Sequence, residues 1–199
     1  MQFTTLALSA LSAATGVFGA PTTQEAGTTN SDQVIFGVMS IRSASPVHLT
    51  AWGAEHKGIF TNLSKQDADC YNSPAQNSAT FVLNKADGTL SLYTEGKPWQ
   101  QLFVDRSGMG QGMMQYTTGA EPAPRNAERG GWAIDEASQH LTFAGSDAFL
   151  ACPSGAADSS YRILPYVGIE NPADYTDCLS IAARVVVAEN PVKCLYSQA

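Results

Sequence analysis

The chain predicts an all-β fold: one compact domain of about twelve short strands, held by two disulfides. Three observations carry this. Short runs in which apolar and polar residues alternate recur along the chain, parted by Ser, Asp, Asn, Gly and Pro. Lys85-Ala86-Asp87-Gly88 lies between two such runs, and Asp-Gly is a strong hairpin signal because glycine accepts the positive φ of a tight turn. Finally, there are four cysteines, Cys70, Cys152, Cys178 and Cys194, with no Cys-x-x-Cys pair among them. An even number of cysteines in a secreted chain implies bridges, here with three possible connectivities.

The strands follow in order. Residues 34–42 and 47–52 flank a Ser-Pro turn. Residues 79–83 and 89–93 form the Asp-Gly hairpin. Next come 102–105, 113–117, 132–135, 141–144 and 148–152, and then 161–167, 179–187 and 193–196. Residues 179–188 have the length of a helix, but their Ile and Val content favours strand. Asn84–Tyr93 (NKADGTLSLY) and Asp135–Phe143 (DEASQHLTF) share an acidic turn followed by an alternating strand. This loose repeat favours a β-trefoil, with a β-sandwich as the alternative.

Domain limits come from composition. Residues 1–19 read as a signal peptide, an apolar run ending in small residues and too short to span a bilayer. Val17 and Gly19 stand at the recognition positions for cleavage after Gly19. Residues 20–33 form a flexible polar leader, and the stapled domain runs over 34–199. No later run reaches the ~18 apolar residues of a membrane helix, and KCLYSQA lacks the hydrophobic tail of a lipid-anchor signal. The expected product is extracellular, with no membrane anchor.

Charge excludes some partners. The net charge is −7 and only 15% of residues are charged. Nucleic-acid binding needs Lys and Arg to displace counterions, so no nucleic-acid partner is expected, and anionic membranes are disfavoured for the same reason. A surface of Ser, Thr, Asn, Gln and Gly suits a neutral partner such as polysaccharide.

Chemistry is sparse. No nucleophile elbow, metalloprotease or phosphate-loop motif is present, so no catalytic, cofactor-binding or metal-binding residue is assigned and the chain is read as a non-enzyme. His48, His56 and His140 are scattered. Gly108-Met109-Gly110-Gln111-Gly112 lacks the lysine of a phosphate cradle and reads as a surface loop. Asp67 and Asp69 form a solvated acidic turn. Asp135 and Glu136 are adjacent, whereas glycoside hydrolysis needs carboxylates ~5–9 Å apart across a cleft. Asn62-Leu63-Ser64 is an N-glycosylation sequon that requires a surface position for Asn62. Trp52 and Trp132 fall in strand patterns and are expected in the core. Trp99, in the polar turn GKPWQQ, is the candidate carbohydrate contact, since an exposed indole can stack on a sugar ring.

The run FGVMSIRSASPVHLTAWGAEHKGIF, with GGWAI, LTFAGSDAFLAC and the late cysteines, resembles the fungal cell-wall protein phiA family over essentially all of the chain from Val34 onward. The resemblance implies a secreted wall protein of phialide and conidium development, some of whose relatives are allergens. Its implied partner is wall polysaccharide, β-glucan or chitin. From Cys70 onward, the order Cys…GW-x-I…L-x-F-x-GSD-x-F-x-x-C…C…C is also distantly similar to the four-cysteine C-terminal domain of yeast PIR wall proteins. That likeness implies anchorage in a β-glucan wall and sequential pairing, Cys70–Cys152 and Cys178–Cys194. Loops of ~80 and ~15 residues closed that way contribute roughly 4–5 and 3 kcal/mol. The PIR repeat Asp-Gly-Gln-Ile-Gln is absent, so no attachment residue is carried over.

Overall fold

The computed structural model describes residues 32–71, 73–74, 76–155 and 159–198, so the expected signal peptide at 1–19 and the expected leader up to residue 31 lie outside the described residues. The strands are β1 (Gln33–Ile41), β2 (Trp52–Glu55), β3 (Gly58–Thr61), β4 (Ala68–Cys70), β5 (Phe81–Asn84), β6 (Thr89–Leu92), β7 (Gln100–Asp105) and β8 (Met113–Thr118). There follow β9 (Ala127–Glu128), β10 (Trp132–Ile134), β11 (Leu141–Phe143), β12 (Ala148–Pro153), β13 (Tyr161–Pro165), β14 (Leu179–Val187) and β15 (Cys194–Tyr196). One 3-10 turn, Pro172–Asp174, is the sole helical element among the described residues.

Nine strands close a barrel in the order β13-β12-β14-β1-β5-β6-β7-β8-β3, and β3 returns to β13 through Tyr161↔Thr61 and Arg162↔Phe60. Nine antiparallel neighbours cannot alternate direction evenly round a ring. The mismatch falls at β3, which meets β8 through Gly58↔Gln115 alone. Strand alternation fills the interior. Phe81 and Leu83 of β5, Leu90 and Leu92 of β6, Met114 and Tyr116 of β8, and Ile181 and Ala183 of β14 all point inward and are buried. Trp52 sits at the centre, edge-on to Phe149 at 5.5 Å and to Phe81 at 6.3 Å. Its Nε1–H donates to Ser40 Oγ at 2.9 Å, Ser40 Oγ–H donates to Thr61 Oγ1 at 3.3 Å, and Thr61 and Thr50 share a 2.6 Å hydroxyl bond. This buried relay satisfies the one polar atom that the indole brings inside.

Each end of the barrel carries a two-stranded lid. At the end holding the β5–β6 turn, the β10–β11 hairpin lowers Trp132, Leu141 and Phe143 onto the core. Trp132 N–H donates to Gly88 O at 3.0 Å, and Val185 N–H donates to Gln139 O at 2.9 Å. Gly88 has φ +64°, and a Cβ there would lie 3.3 Å from Gly131 N and Trp132 O. Both the hairpin turn and the seating of the lid therefore require glycine at this position. At the other end, β4 and β15 pair with each other, and the Thr80 N–H donates to the Tyr196 hydroxyl at 3.1 Å. The buried Tyr116 hydroxyl donates to Ser197 O.

The all-β expectation holds, but closure of the sheet through β3 rules out a sandwich, and a ring of nine strands with a two-stranded lid at each end differs from the six-stranded barrel and single cap of hairpins of a trefoil. Residues 47–51 are mostly turn rather than strand: Leu49 has φ 59° and is exposed, and regular pairing starts at Trp52. The sequential cysteine pairing is also overturned, since the bridges are Cys70–Cys194 and Cys152–Cys178. Cys70 and Cys194 are direct cross-strand partners in β4 and β15. Cys152 faces away from the barrel interior, opposite to its neighbour Ala151, and joins Leu150, Leu164 and Cys178 in a small outer cluster. Cys70 packs against the main core, so the two halves of the expected bridge belong to different apolar clusters.

Candidate functional site

The lid made by β4 and β15 borders a groove in the protein surface. Between this lid and the segment joining β6 to β7 runs a groove of about 300 Å³, with the Cys70–Cys194 bridge in its lining. The lid side supplies Asp69, Tyr71, Lys193 and Leu195, and the opposite side supplies Glu95 and Lys97. Tyr71 is 62% exposed, Leu195 42% and Trp99 46%. Trp99 is not itself in the lining. It follows the lining residue Pro98, and Lys97 Nζ lies 5.5 Å from the centre of its indole. The Trp99 carbonyl accepts the Gly119 N–H at 2.8 Å, which pins the backbone while the ring faces solvent. Lys193 Nζ lies 5.7 Å above the Tyr93 ring. Two acidic and two basic residues belong to the lining, so its charges balance.

The other sequence candidates are dispersed. Asn62 follows β3 with φ 60°, is half-buried, and donates from Nδ2 to Ser159 O at 3.1 Å. Asp67 and Asp69 flank Ala68 at β4, and Asp69 joins the groove. Asp135 Oδ1 accepts from both the backbone N–H and the hydroxyl of Ser138 at 2.7 Å. Those bonds hold its carboxyl below the usual range and make it the clasp of the β10–β11 turn. His140 Nδ1 lies 3.2 Å from Asp147 Oδ2, and His48 Nδ1 accepts the Arg42 N–H at 3.2 Å within a turn. At Gly110 a Cβ would stand 2.2 Å from Asp105 Cγ, so the glycine-dense loop is a tight turn folded on that side chain. Trp52 and Trp132 are 0% and 2% exposed, as their strand patterns predict.

A wider cleft of about 860 Å³ lies beside β9. Glu128 is the one carboxylate in its lining, and Arg106 engages both its oxygens, with Nε at 2.9 and 3.1 Å. The Arg106 guanidinium, raised in pKa chiefly by that hydrogen bonding, also lies 5.7 Å from the centre of the Phe143 ring. Among the described residues no group of three or more His, Cys, Asp or Glu could hold a metal ion, and no helix is long and apolar enough to cross a membrane. The sequence reading missed Tyr71, Lys193 and Leu195. Each is adjacent in sequence to Cys70 or Cys194, so the correct pairing would have brought them together.

Comparison with known proteins covers this whole architecture. The family model described as PhiA-like secreted protein matches residues 36–197, from β1 to just past β15. The chain is 48% identical over 163 residues to cell wall protein phiA of Aspergillus fumigatus, covering 82% of this chain and 85% of that protein. It is 46% identical over 162 residues to cell wall protein phiA of Aspergillus niger, covering 81% and 85%. Against cell wall protein phiA of Emericella nidulans it is 45% identical over 163 residues, covering 81% and 86%. No solved structure matches. With a match that spans the barrel and both lids, the chain belongs to the PhiA-like secreted protein family.

Proposed function

We propose that this protein is a non-enzymatic structural component of the fungal cell wall that acts during phialide and conidium formation. The observation that carries the reading is similarity along the whole barrel to proteins named cell wall protein phiA. The architecture supports it, since the barrel interior is filled with side chains and Glu128, in the cleft beside β9, is engaged by Arg106. In the same reading, residues 1–19 direct secretion, residues 20–33 form a polar leader ahead of the domain at 34–199, and Asn62 carries a glycan whose remaining amide N–H keeps the bond to Ser159 O. The test is fractionation of a strain expressing the tagged protein, with a deletion strain alongside. Recovery in the wall fraction and malformed phialides and conidia on deletion are expected. Recovery solely from the medium, together with normal conidiation, would overturn the proposal.

A further inference from the structure

We infer that the groove beside the Cys70–Cys194 bridge binds a neutral β-linked pyranose polymer, a reading that rests on the wall assignment and specifies the contact by which retention occurs. The chemistry on the surface fits that ligand. A β-linked pyranose with equatorial substituents presents a flat C–H face, which aromatic rings cover, and a rim of hydroxyls, which needs mixed donors and acceptors. Tyr71 supplies an exposed ring in the groove lining, and Trp99, the residue after the lining residue Pro98, supplies a second exposed ring next to Lys97 of that lining. Asp69 and Glu95 accept hydrogen bonds there, and Lys97 and Lys193 donate. Equal numbers of acids and bases favour an uncharged chain over a polyanion or a polycation. The indole is also positioned in advance, because Gly119 holds the Trp99 carbonyl and Lys97 covers the ring. Less ordering is then needed when ligand arrives. The bridge is a positioning element, since Tyr71 follows Cys70 while Lys193 and Leu195 flank Cys194.

The experiment uses the purified secreted protein with insoluble β-1,3-glucan and, separately, chitin. Retention on one of them at low salt identifies the source of the shared pyranose chemistry. Trp99→Ala and Tyr71→Ala should each weaken retention about threefold to tenfold, as expected for loss of one ring stacking contact. Tyr166→Ala, which removes an exposed ring outside the groove, should leave it unchanged. Because Trp52 and Trp132 are buried, Trp99 is the solvent-exposed emitter of the intact protein. A matching oligosaccharide should therefore shift emission to the blue and protect it from acrylamide quenching, a readout that needs no variant. Failure of the unaltered protein to bind either polymer, absence of an emission change, or equal weakening by Tyr166→Ala would overturn the site. Fractionation into the wall would be untouched by any of these, so the two readings fail separately.

Discussion

Gln100 and Tyr196 exchange a reciprocal pair of hydrogen bonds: Gln100 Nε2 donates to Tyr196 O at 2.7 Å, and the Tyr196 N–H donates to Gln100 Oε1 at 2.8 Å. A side-chain amide has the donor and acceptor of a peptide group, so one buried glutamine serves β15 as a neighbouring strand would. Gln100→Ala would leave both backbone groups of Tyr196 unpaired inside the protein. We expect a loss of about 2–4 kcal/mol, read as a lower urea midpoint at unchanged m-value. An unchanged midpoint would show that this docking carries no stability.

Two tyrosines at the same end make the fold sensitive to alkali. Burial pushes the Tyr196 phenol up to about 12, and it pushes the Tyr116 phenol up as well. The folded chain therefore holds these protons more tightly than the unfolded chain, where tyrosine titrates near ~10. Stability is intact below about pH 10 and is lost as pH rises from there through about 12. Urea midpoints measured across that window should fall, and Tyr116→Phe should flatten the slope whatever it does to the starting stability. A Tyr116→Phe curve parallel to the parent would contradict this account.

The two bridges should differ in their contribution. Cys70–Cys194 joins residues 124 apart and Cys152–Cys178 residues 26 apart. The chain-entropy model gives about 5 and about 3.5 kcal/mol for such loops. Peptide mapping without reduction should recover these two pairs, and paired Cys→Ser replacement should destabilise more at Cys70 and Cys194. Recovery of a Cys70–Cys152 peptide would refute the lid geometry.

The buried indoles provide an internal comparison. Trp52 Nε1–H donates to Ser40, while Trp132 Nε1 is buried with no hydrogen-bond partner. Trp52→Phe breaks a bond and orphans part of the hydroxyl relay, but Trp132→Phe removes a donor that was already unpaired. Denaturant unfolding should show Trp52→Phe costing about 1–3 kcal/mol more. Equal costs would mean that the relay is energetically silent.

Local pattern carried most of what was legible. The Asp-Gly hairpin, the inward alternation of Phe81, Leu83, Leu90 and Leu92, and the burial of Trp52 and Trp132 all follow from rules acting within a few residues. Closure does not, because β3 must find β13 roughly a hundred residues away, and Gly-Ile-Phe-Thr carries no sign of that partner. The cysteine pairing failed for the same reason: Cys194 belongs with Cys70 because β15 lies beside β4, a relation that spacing does not encode. At the groove, Trp99 was legible as an aromatic in a polar turn. The lining residues Tyr71 and Leu195 were not, since their proximity to each other depends on that bridge.

The ring also bears on persistence outside the cell. Every strand from β13 round to β3 is paired on both sides, and β1, near the start of the chain, is locked between β5 and β14. An extracellular protease digests extended backbone, and in this ring the weakly paired place is β3, held to β8 by one residue pair and to β13 by two. Cleavage elsewhere in the barrel then waits on opening of that seam, so durability is a property of the topology rather than of any one strand.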